Sequence, residues 1–243
     1  MLAVEGVSKT YRSGPLSRGR KVLDSVSVRI SPGEVVGLLG ESGCGKTTLA
    51  KIMLKLTRPD EGRVVMDGID ITALPERRFR GMRDRIQMIF QDPTTSLNPR
   101  HSIRWSLDEA YRQYGKECDY ASTFRDLGLP KDILQRRPSM VSGGELQRVS
   151  MMRCLASDPG YLILDEPTSM LDLSVQANIM RMLLSLSDGR GMMLITHDMD
   201  LARCVCDRVY IMHQGRLVEE GRAEEVLSDP STDEAKWLVE YFR

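Results

Sequence analysis

A glycine-rich segment at residues 40–47 constrains the fold of this chain more than any other part of the sequence. The segment reads Gly-Glu-Ser-Gly-Cys-Gly-Lys-Thr and fits the pattern G-x-x-x-x-G-K-S/T. A continuous apolar run at residues 35–39 precedes it, and residues 46–56 follow with helical spacing. The sequence therefore predicts a buried parallel strand, a tight turn that can cradle phosphate groups, and a helix, in that order.

Within this turn, the chemistry of the side chains assigns separate tasks. Glycines let backbone N–H groups point at phosphate oxygens, and the N-terminal end of the helix adds its positive dipole. Lys46 can reach the β- and γ-phosphates of a nucleotide, and the Thr47 hydroxyl can coordinate Mg²⁺. The residues predicted to bind the nucleotide are Gly40, Ser42, Gly43, Cys44, Gly45, Lys46, Thr47 and Thr48. The alternative, a strand-to-helix turn with no ligand, is disfavoured by the strand and helix context.

A second apolar run, at residues 161–164, ends in the adjacent carboxylates Asp165 and Glu166. Because successive side chains of a strand point to opposite faces, the two acids can take different tasks. We expect Asp165 to hold Mg²⁺, through water, and Glu166 to act as general base on the water that attacks the γ-phosphate. Adjacent acids at a strand end are often only solvated, but the phosphate-binding turn favours the functional interpretation.

The remaining pattern predicts an α/β fold. Short β-branched runs alternate with helical stretches, which is typical of a mainly parallel sheet. Further buried strands are predicted at 86–90 and 192–196, and half-exposed strands of an antiparallel β region at 26–30, 63–66, 209–212 and 216–220, with a hairpin at Gly215.

Between residues 92 and 158 the strand signal disappears and helical patterns dominate. We therefore expect a core made of residues 1–91 and 159–243, with residues 92–158 forming a helical subdomain inserted into it. Residues 13–20 are polar and basic and are expected to form an exposed loop.

Composition argues against several classes of protein. Lys plus Arg and Asp plus Glu both number 34, so net charge gives no electrostatic reason to expect nucleic acid or bare anionic membrane as a partner. No apolar run approaches the ~20 residues of a membrane-spanning helix, and the N-terminus lacks the apolar stretch of a secretory signal.

The five cysteines show no disulfide or zinc spacing. Cys204 and Cys206 could form half of a metal site, but no second pair completes it. Small buried thiols in a reducing compartment are the favoured interpretation, so we expect a cytoplasmic protein.

Three further segments make the pattern specific. Ser142-Gly143-Gly144-Glu145 opens a helix shortly before the acidic strand, residues 169–172 follow that strand, and His197 ends the next apolar strand. With the phosphate-binding turn and Gln91, this set resembles the ATP-binding cassette (ABC) ATPases in order and spacing, over nearly the whole chain. The resemblance implies a P-loop NTPase core that binds Mg²⁺ and ATP, hydrolyses the ATP, and pairs with a second cassette.

The resemblance also implies roles for residues near the nucleotide. Tyr11 matches the aromatic residue that stacks on adenine, although a lone tyrosine near a strand end is more often a packing residue. Gln91 matches a residue at the hinge between core and helical subdomain that touches Mg²⁺ and the attacking water. His197 matches the histidine that hydrogen-bonds the γ-phosphate, whereas an isolated histidine at a strand end is more often structural.

Other matched residues concern the partner cassette. Ser142, Gly143 and Gly144 match the signature loop, which in the family serves the ATP of the partner, and Asp172 matches a loop that crosses the dimer interface. The usual glutamine after the two glycines is Glu145 here, which places a negative charge where a neutral amide is usual, and we do not expect it to contact ATP. The serine and glycines are intact, so an active site is expected.

Two stretches narrow the branch of the family. Residues 40–46 and residues 90–100, Phe-Gln-Asp-Pro-Thr-Thr-Ser-Leu-Asn-Pro-Arg, look like those of oligopeptide, dipeptide and nickel importer ATPases. That resemblance implies transmembrane permease subunits, a second ATPase subunit and, indirectly, an extracellular substrate-binding protein as partners. It places the chain in the cytoplasm, peripheral on the inner face of the cell membrane. Peptide, nickel and metallophore remain open as substrates.

The ATPase of the phosphonate-cleaving carbon–phosphorus lyase complex is similar in the same stretches and is the alternative. Ribosome-associated relatives carry two cores and chromosome-maintenance relatives a long coiled-coil insertion, and neither feature is seen here. A non-catalytic binding module would fit if Glu166 or His197 were replaced, and both are present.

Cys44 carries a separate hypothesis. A thiol at a helix N-terminus is expected to have thiolate character, so that alkylation would inhibit the enzyme and ATP would protect it. The alternative is a small side chain that faces the core.

Overall fold

The computed structural model of the chain describes residues 1–12, 14, 19–167, 173–185, 187 and 189–241. Within them, the strands are β1 (Leu2–Tyr11), β2 (Arg20–Ile30), β3 (Val35–Gly40), β4 (Glu61–Met66), β5 (Ile69–Asp70), β6 (Ile86–Ile89), β7 (Tyr161–Asp165), β8 (Gly191–Thr196), β9 (Arg208–His213) and β10 (Arg216–Arg222).

The α-helices of the described chain are α1 (Lys46–Met53), α2 (Glu76–Phe79), α3 (Ile103–Gln113), α4 (Tyr120–Asp126), α5 (Gly143–Leu155), α6 (Leu173–Ser185), α7 (Met199–Val205), α8 (Ala223–Ser228) and α9 (Asp233–Tyr241). Short 3₁₀ helices span Arg80–Arg85, Pro93–Ser96, Lys131–Gln135 and Pro138–Met140. No helix in these ranges is both long and apolar enough to cross a membrane.

The described strands form two sheets, which give the α/β architecture that the sequence predicts. An antiparallel sheet has the strand order β2–β1–β4–β5, and a six-stranded sheet has the order β10–β9–β3–β8–β7–β6. In the larger sheet β9, β3, β8, β7 and β6 run parallel, and β10 pairs antiparallel with β9. The carboxyl ends of five strands therefore meet at one edge, where a ligand site is expected.

The larger sheet separates two hydrophobic clusters. Every residue of β3, β7 and β8 is buried, as expected for parallel strands covered on both faces. On β3, Val35 and Leu39 belong to a cluster that continues into α3 and α5. Val36 and Leu38, on the other face, belong to a cluster shared with the antiparallel sheet.

Every described element between β6 and β7 is helical, as the sequence predicts for residues 92–158. The apolar side chains of this segment, among them Ile103 and Leu107, join the same cluster as Val35 and Leu39 of the sheet. The division into a core and an inserted subdomain stays a prediction.

Residues 209–212 form a strand, but the prediction that this strand is half-exposed and belongs to an antiparallel region is wrong. All four residues are buried, and β9 pairs in parallel with β3 and is antiparallel only to β10. The reason is visible in the sequence, because Val-Tyr-Ile-Met is a continuous apolar run, and such runs are typical of strands covered on both faces.

No strand was predicted at Leu2–Tyr11. Its burial pattern shows no clear alternation, and its pairing with β2 and β4 has an irregular register. The predicted loop at 13–20 lies partly outside the described residues, and Arg20 already belongs to β2.

The hairpin predicted at Gly215 joins β9 to β10. Gln214 has a φ of 46° and Gly215 a φ of 82°, and two consecutive positive φ values are typical of the tight turns that match strand twist. The Gly215 carbonyl accepts a hydrogen bond from the Asp24 N–H at 2.9 Å, so the hairpin is tied to β2.

A buried tyrosine connects the two sheets. Tyr210 on β9 is 1% exposed, and its hydroxyl oxygen accepts hydrogen bonds from the Arg29 N–H of β2 at 3.1 Å and from Arg208 Nη1 at 2.5 Å. Arg208 also donates to Glu34 Oε1 at 2.9 Å and to the Arg29 carbonyl at 2.9 Å. The antiparallel sheet is thereby fixed to the parallel one beside the start of β3.

We expect Tyr210→Phe to lower the free energy of unfolding by about 1–3 kcal/mol, because two donors lose their acceptor in a partly buried place. Urea denaturation followed by circular dichroism measures the change. Tyr11→Phe removes the hydroxyl of an exposed tyrosine and is the matched control. Equal stability of the two variants would contradict the assigned link.

Candidate functional site

A pocket of about 290 Å³ lies at the carboxyl edge of the parallel sheet. It brings together most of the residues predicted from separate motifs. Its lining residues are Val22, Ser42, Gly43, Gly45, Lys46, Thr47, Thr48, Gln91, Asp165, Glu166 and His197. Val22 was not predicted, and no motif in the sequence marks it.

The phosphate-binding turn depends on glycine at two positions. Gly40 has a φ of 151° and Gly45 a φ of 119°, in a region that L side chains rarely adopt. A Cβ at Gly40 would lie 2.2 Å from the Met212 carbonyl oxygen, and one at Gly45 would lie 2.7 Å from that of Val22. The turn can therefore pack against its neighbours and still present its N–H groups to a ligand.

Lys46 is held across this turn. Lys46 is the first residue of α1 and is only 7% exposed. Its ammonium donates to the Gly40 carbonyl at 2.6 Å and to the Glu41 carbonyl at 2.8 Å. These bonds place a buried positive charge in the pocket, beside the N-terminus of a helix. Both features attract an anion such as phosphate.

Thr47 and Asp165 form a pair of oxygen ligands. The Thr47 hydroxyl donates to Asp165 Oδ2 at 3.0 Å, and Asp165 is 4% exposed at the end of β7. Burial raises the pKa of the Asp165 carboxyl, and the Thr47 bond and the Lys46 charge lower it by less. The positive charge near Asp165 does not offset the effect of burial on its carboxylate. Mg²⁺ takes hard oxygen ligands and would add positive charge, so this carboxylate and the Thr47 hydroxyl suit it.

Glu166 lies between Gln91 and His197. Its carboxylate accepts from Gln91 Nε2 at 2.6 Å and lies 3.2 Å from His197 Nδ1. Asp165 thus faces Thr47, and Glu166 faces a different set of partners.

The backbone of Glu166 has a φ of 46°, and its N–H donates to the Ile195 carbonyl at 2.9 Å. A non-glycine residue in the left-handed region costs about 1–3 kcal/mol and is found in turns, as at Gln214, and at functional sites. The strain re-aims the Glu166 side chain toward the ends of β6 and β8.

Several predicted residues lie elsewhere. Tyr11 ends β1, is 44% exposed, and is not part of the pocket lining. Ser142 caps α5, which Gly143 and Gly144 begin, and none of the three lines the pocket. Asp172 lies outside the described residues.

Gln147 was missed as a site residue. It is 1% exposed on α5, and its Nε2 donates to the Phe90 carbonyl at 3.2 Å and to the Pro167 carbonyl at 3.4 Å. These carbonyls belong to the residue before Gln91 and the residue after Glu166. The helix that carries the signature residues, α5, is therefore hydrogen-bonded to the chain on both sides of the site. In the sequence, only the position of Gln147 on the buried face of a helix indicates these bonds.

The expected thiolate character of Cys44 is wrong. Cys44 is 7% exposed and packs in the cluster shared with the antiparallel sheet. Burial raises the pKa of its thiol, and the Lys46 ammonium, whose Nζ lies 3.9 Å from Sγ, lowers it by less. The side chain faces the core, as the alternative interpretation holds.

The fold is that of an ATP-binding cassette, as comparison with known proteins shows. The family model described as ABC transporter matches residues 23–169. The chain belongs to the ABC transporter family, and the resemblance seen in the sequence is confirmed.

Two relatives cover most of the chain. The oligopeptide transport ATP-binding protein OppF of Streptococcus mutans is 38% identical over 239 residues, which are 95% of this chain and 77% of the relative. The nickel import ATP-binding protein NikE of Pseudomonas putida is 37% identical over 231 residues, 90% of this chain and 85% of the relative.

Among solved structures, a dimeric ATP-binding cassette in a post-hydrolysis state bound to ADP and Pi has a TM-score of 0.83 and 28% identity, and the match covers 92% of this chain and 99% of that one. CbiO1 of Clostridium perfringens has a TM-score of 0.76 and 26% identity, with 94% and 90% covered. The predicted fold class is thereby confirmed.

We expect iodoacetamide to modify Cys204 well before Cys44, because Cys204 is exposed and Cys44 is buried with a raised thiol pKa. Peptide mass spectrometry over a time course measures both rates. Cys204→Ser shows whether the fast reaction belongs to Cys204. Modification of Cys44 at a rate similar to that of Cys204 in the folded protein would contradict this assignment.

Proposed function

We propose that this chain is the ATP-hydrolysing subunit of an ABC importer that takes up peptides, nickel or a metal chelate. The observation that carries the proposal is the Glu166 carboxylate, which is held between Gln91 and His197 across the pocket from the phosphate-binding turn. The names of the oligopeptide and nickel relatives support the importer class.

The first step is binding of Mg²⁺ and ATP. Lys46 and the backbone of the turn bind the phosphates, with Ser42, Gly43, Cys44 and Thr48 contributing along the same segment. Thr47 and Gln91 would coordinate Mg²⁺, and Asp165 would hold it through water. When bound, Mg²⁺ would supply positive charge that neutralises the phosphates. Tyr11, exposed at the end of β1, stacks on adenine.

The second step is attack by water. Glu166 acts as the general base and accepts a proton from the water that attacks the γ-phosphate. Gln91 orients the same water, and His197 hydrogen-bonds the γ-phosphate. Most of the rate enhancement comes from positioning and charge neutralisation, because the transferred group needs little covalent help.

The site is completed by a second cassette, identical or paralogous. The solved structure bound to ADP and Pi is dimeric, which supports this step. Ser142, Gly143 and Gly144 lie at the N-terminus of α5, where N–H groups and the helix dipole suit a phosphate. In the closed dimer this loop covers the γ-phosphate of the partner, and Asp172 lies at the interface.

Motion reaches the membrane through residues 92–158, which we propose to act as a helical subdomain hinged at Gln91. A groove of about 350 Å³ lies between β6 and helices α3 and α5, and its lining includes Gln87, Tyr114 and Arg153. The Ser96 hydroxyl lies 2.8 Å from that of Ser150, so a hydrogen bond joins the hinge segment to α5. A cytoplasmic helix of a permease subunit occupies this groove.

The chain therefore acts in the cytoplasm, at the inner face of the cell membrane. Its partners are transmembrane permease subunits, a second cassette and, indirectly, an extracellular substrate-binding protein. Nucleic acid has no place in this assembly.

Glu166→Gln is expected to lower the rate of ATP hydrolysis by at least about a hundredfold, since general bases contribute 10²–10⁴-fold. ATP binding is retained, because phosphate contacts do not involve Glu166. Phosphate release and fluorescent-nucleotide titration measure the two quantities. Glu224→Gln, on an exposed position of α8, is the matched control. Loss of ATP binding in Glu166→Gln would contradict the assigned role.

Purification of the tagged chain from detergent-solubilised native membranes tests the importer. We expect two multi-helix permeases and a second cassette, identified by mass spectrometry, and the ligand of a co-purified binding protein names the substrate. Recovery of a soluble complex with phosphonate-cleaving subunits would overturn the importer and leave the ATP chemistry intact.

A further inference from the structure

The acidic residue of the signature loop is bonded to the serine of that loop. The Ser142 hydroxyl donates to Glu145 Oε2 at 2.7 Å, and the Ser142 N–H donates to the same oxygen at 3.0 Å. In return, the Glu145 N–H donates to Ser142 Oγ at 3.3 Å. These contacts form a reciprocal cap at the start of α5.

Glu145 is negatively charged at neutral pH. The hydrogen bonds from Ser142 hold the pKa of its carboxyl below the usual range, and burial opposes them by less. Arg136 and Arg148 favour the charged form as well, through weaker charge–charge attraction. The signature loop thus carries a full negative charge at the end of the helix that is to meet the γ-phosphate.

The Ser142 hydroxyl already donates its hydrogen to Glu145, so that donor is occupied when the γ-phosphate approaches. A serine hydroxyl has one hydrogen, and here that hydrogen points to Glu145. A γ-phosphate oxygen that takes the hydroxyl hydrogen must displace the carboxylate, which stays nearby as a like charge. Two like charges a few ångströms apart repel, and salt screens the part of this repulsion that is exposed to solvent.

We infer that Glu145 restrains ATP-driven closure of the cassette pair, by holding the Ser142 hydroxyl in the open state and by repelling the γ-phosphate in the closed one. The inference rests on the proposed function, in which the signature loop covers the ATP of the partner. Glu145 is a positioning residue that acts through Ser142. It makes the composite site on this side of the pair weaker than one with a neutral amide.

Glu145→Gln isolates the charge. Gln serves in the same reciprocal cap as Glu, so the start of α5 is retained and the negative charge is lost. In the assembled complex purified through the tagged chain, we expect the KM for ATP to fall about tenfold, which corresponds to 1.4 kcal/mol, with kcat unchanged or higher. Salt is expected to narrow the difference in KM between the unaltered complex and Glu145→Gln, because it screens the repulsion by Glu145.

Two other variants separate charge from structure. Glu145→Ala loses both charge and cap, so it shows the same fall in KM together with a lower melting temperature. Glu234→Gln removes an acid from the first turn of α9 and leaves KM unchanged. If Glu145→Gln has the KM and salt response of the unaltered complex, the inference is overturned, and a change in Glu145→Ala alone assigns Glu145 to helix capping only.

The experiments distinguish an error in the proposed function from an error in the inference about Glu145. If Glu166→Gln leaves hydrolysis intact, the chain is not the catalytic subunit, whatever Glu145 does. If Glu166→Gln abolishes hydrolysis and Glu145→Gln leaves KM and its salt dependence unchanged, the ATPase stands and only the restraint is wrong.

Discussion

The whole site depends on a parallel sheet that is buried on both faces. Because β3, β6, β7 and β8 run in one direction, their carboxyl ends meet at one edge. The phosphate-binding turn follows β3, Gln91 follows β6, Asp165 ends β7, and His197 follows β8. Residues far apart in sequence therefore reach one pocket without a long loop, and the rigid strands fix their spacing. Glu166 departs from regular strand geometry, and its left-handed backbone turns the carboxylate toward Gln91 and His197.

A second set of contacts joins this edge to α5. Gln147 donates to carbonyls on both flanks of the site, and Ser150 on the same helix lies 2.8 Å from Ser96 in the segment after Gln91. The backbone before Gln91 and the backbone after Glu166 are therefore both hydrogen-bonded to α5. Such a bonded connection is a physical route by which occupancy of the pocket can reach the groove between β6 and α3.

The sequence predicted the pocket well where chemistry and strand burial coincide. Apolar runs such as residues 35–39 and 161–164 lead directly into polar motifs, so the motif and the strand confirm each other. The predictions from sequence failed where tertiary packing determines how deeply a residue is buried. Residues 209–212 form a covered strand, and Cys44 faces a core that its place at a helix N-terminus does not reveal. Gln147 was missed because a single amide on a helix carries no local sign of the two carbonyls that it meets.

Charge balance at Asp165 and Lys46 favours the binding of a cation and of a phosphate group. Burial raises the pKa of the Asp165 carboxyl, so the folded chain binds a proton at this group more tightly than the unfolded chain does. The stability that this group contributes is lost as pH rises from its ordinary value of 3.8 through the raised pKa, because burial disfavours the charged carboxylate. A cation at Thr47 and Asp165 would offset the cost of burying that charge, and a bound phosphate would give Lys46 an anionic partner in addition to the carbonyls. The folded chain gives up stability at the site, and the bound ligand restores it by mass action.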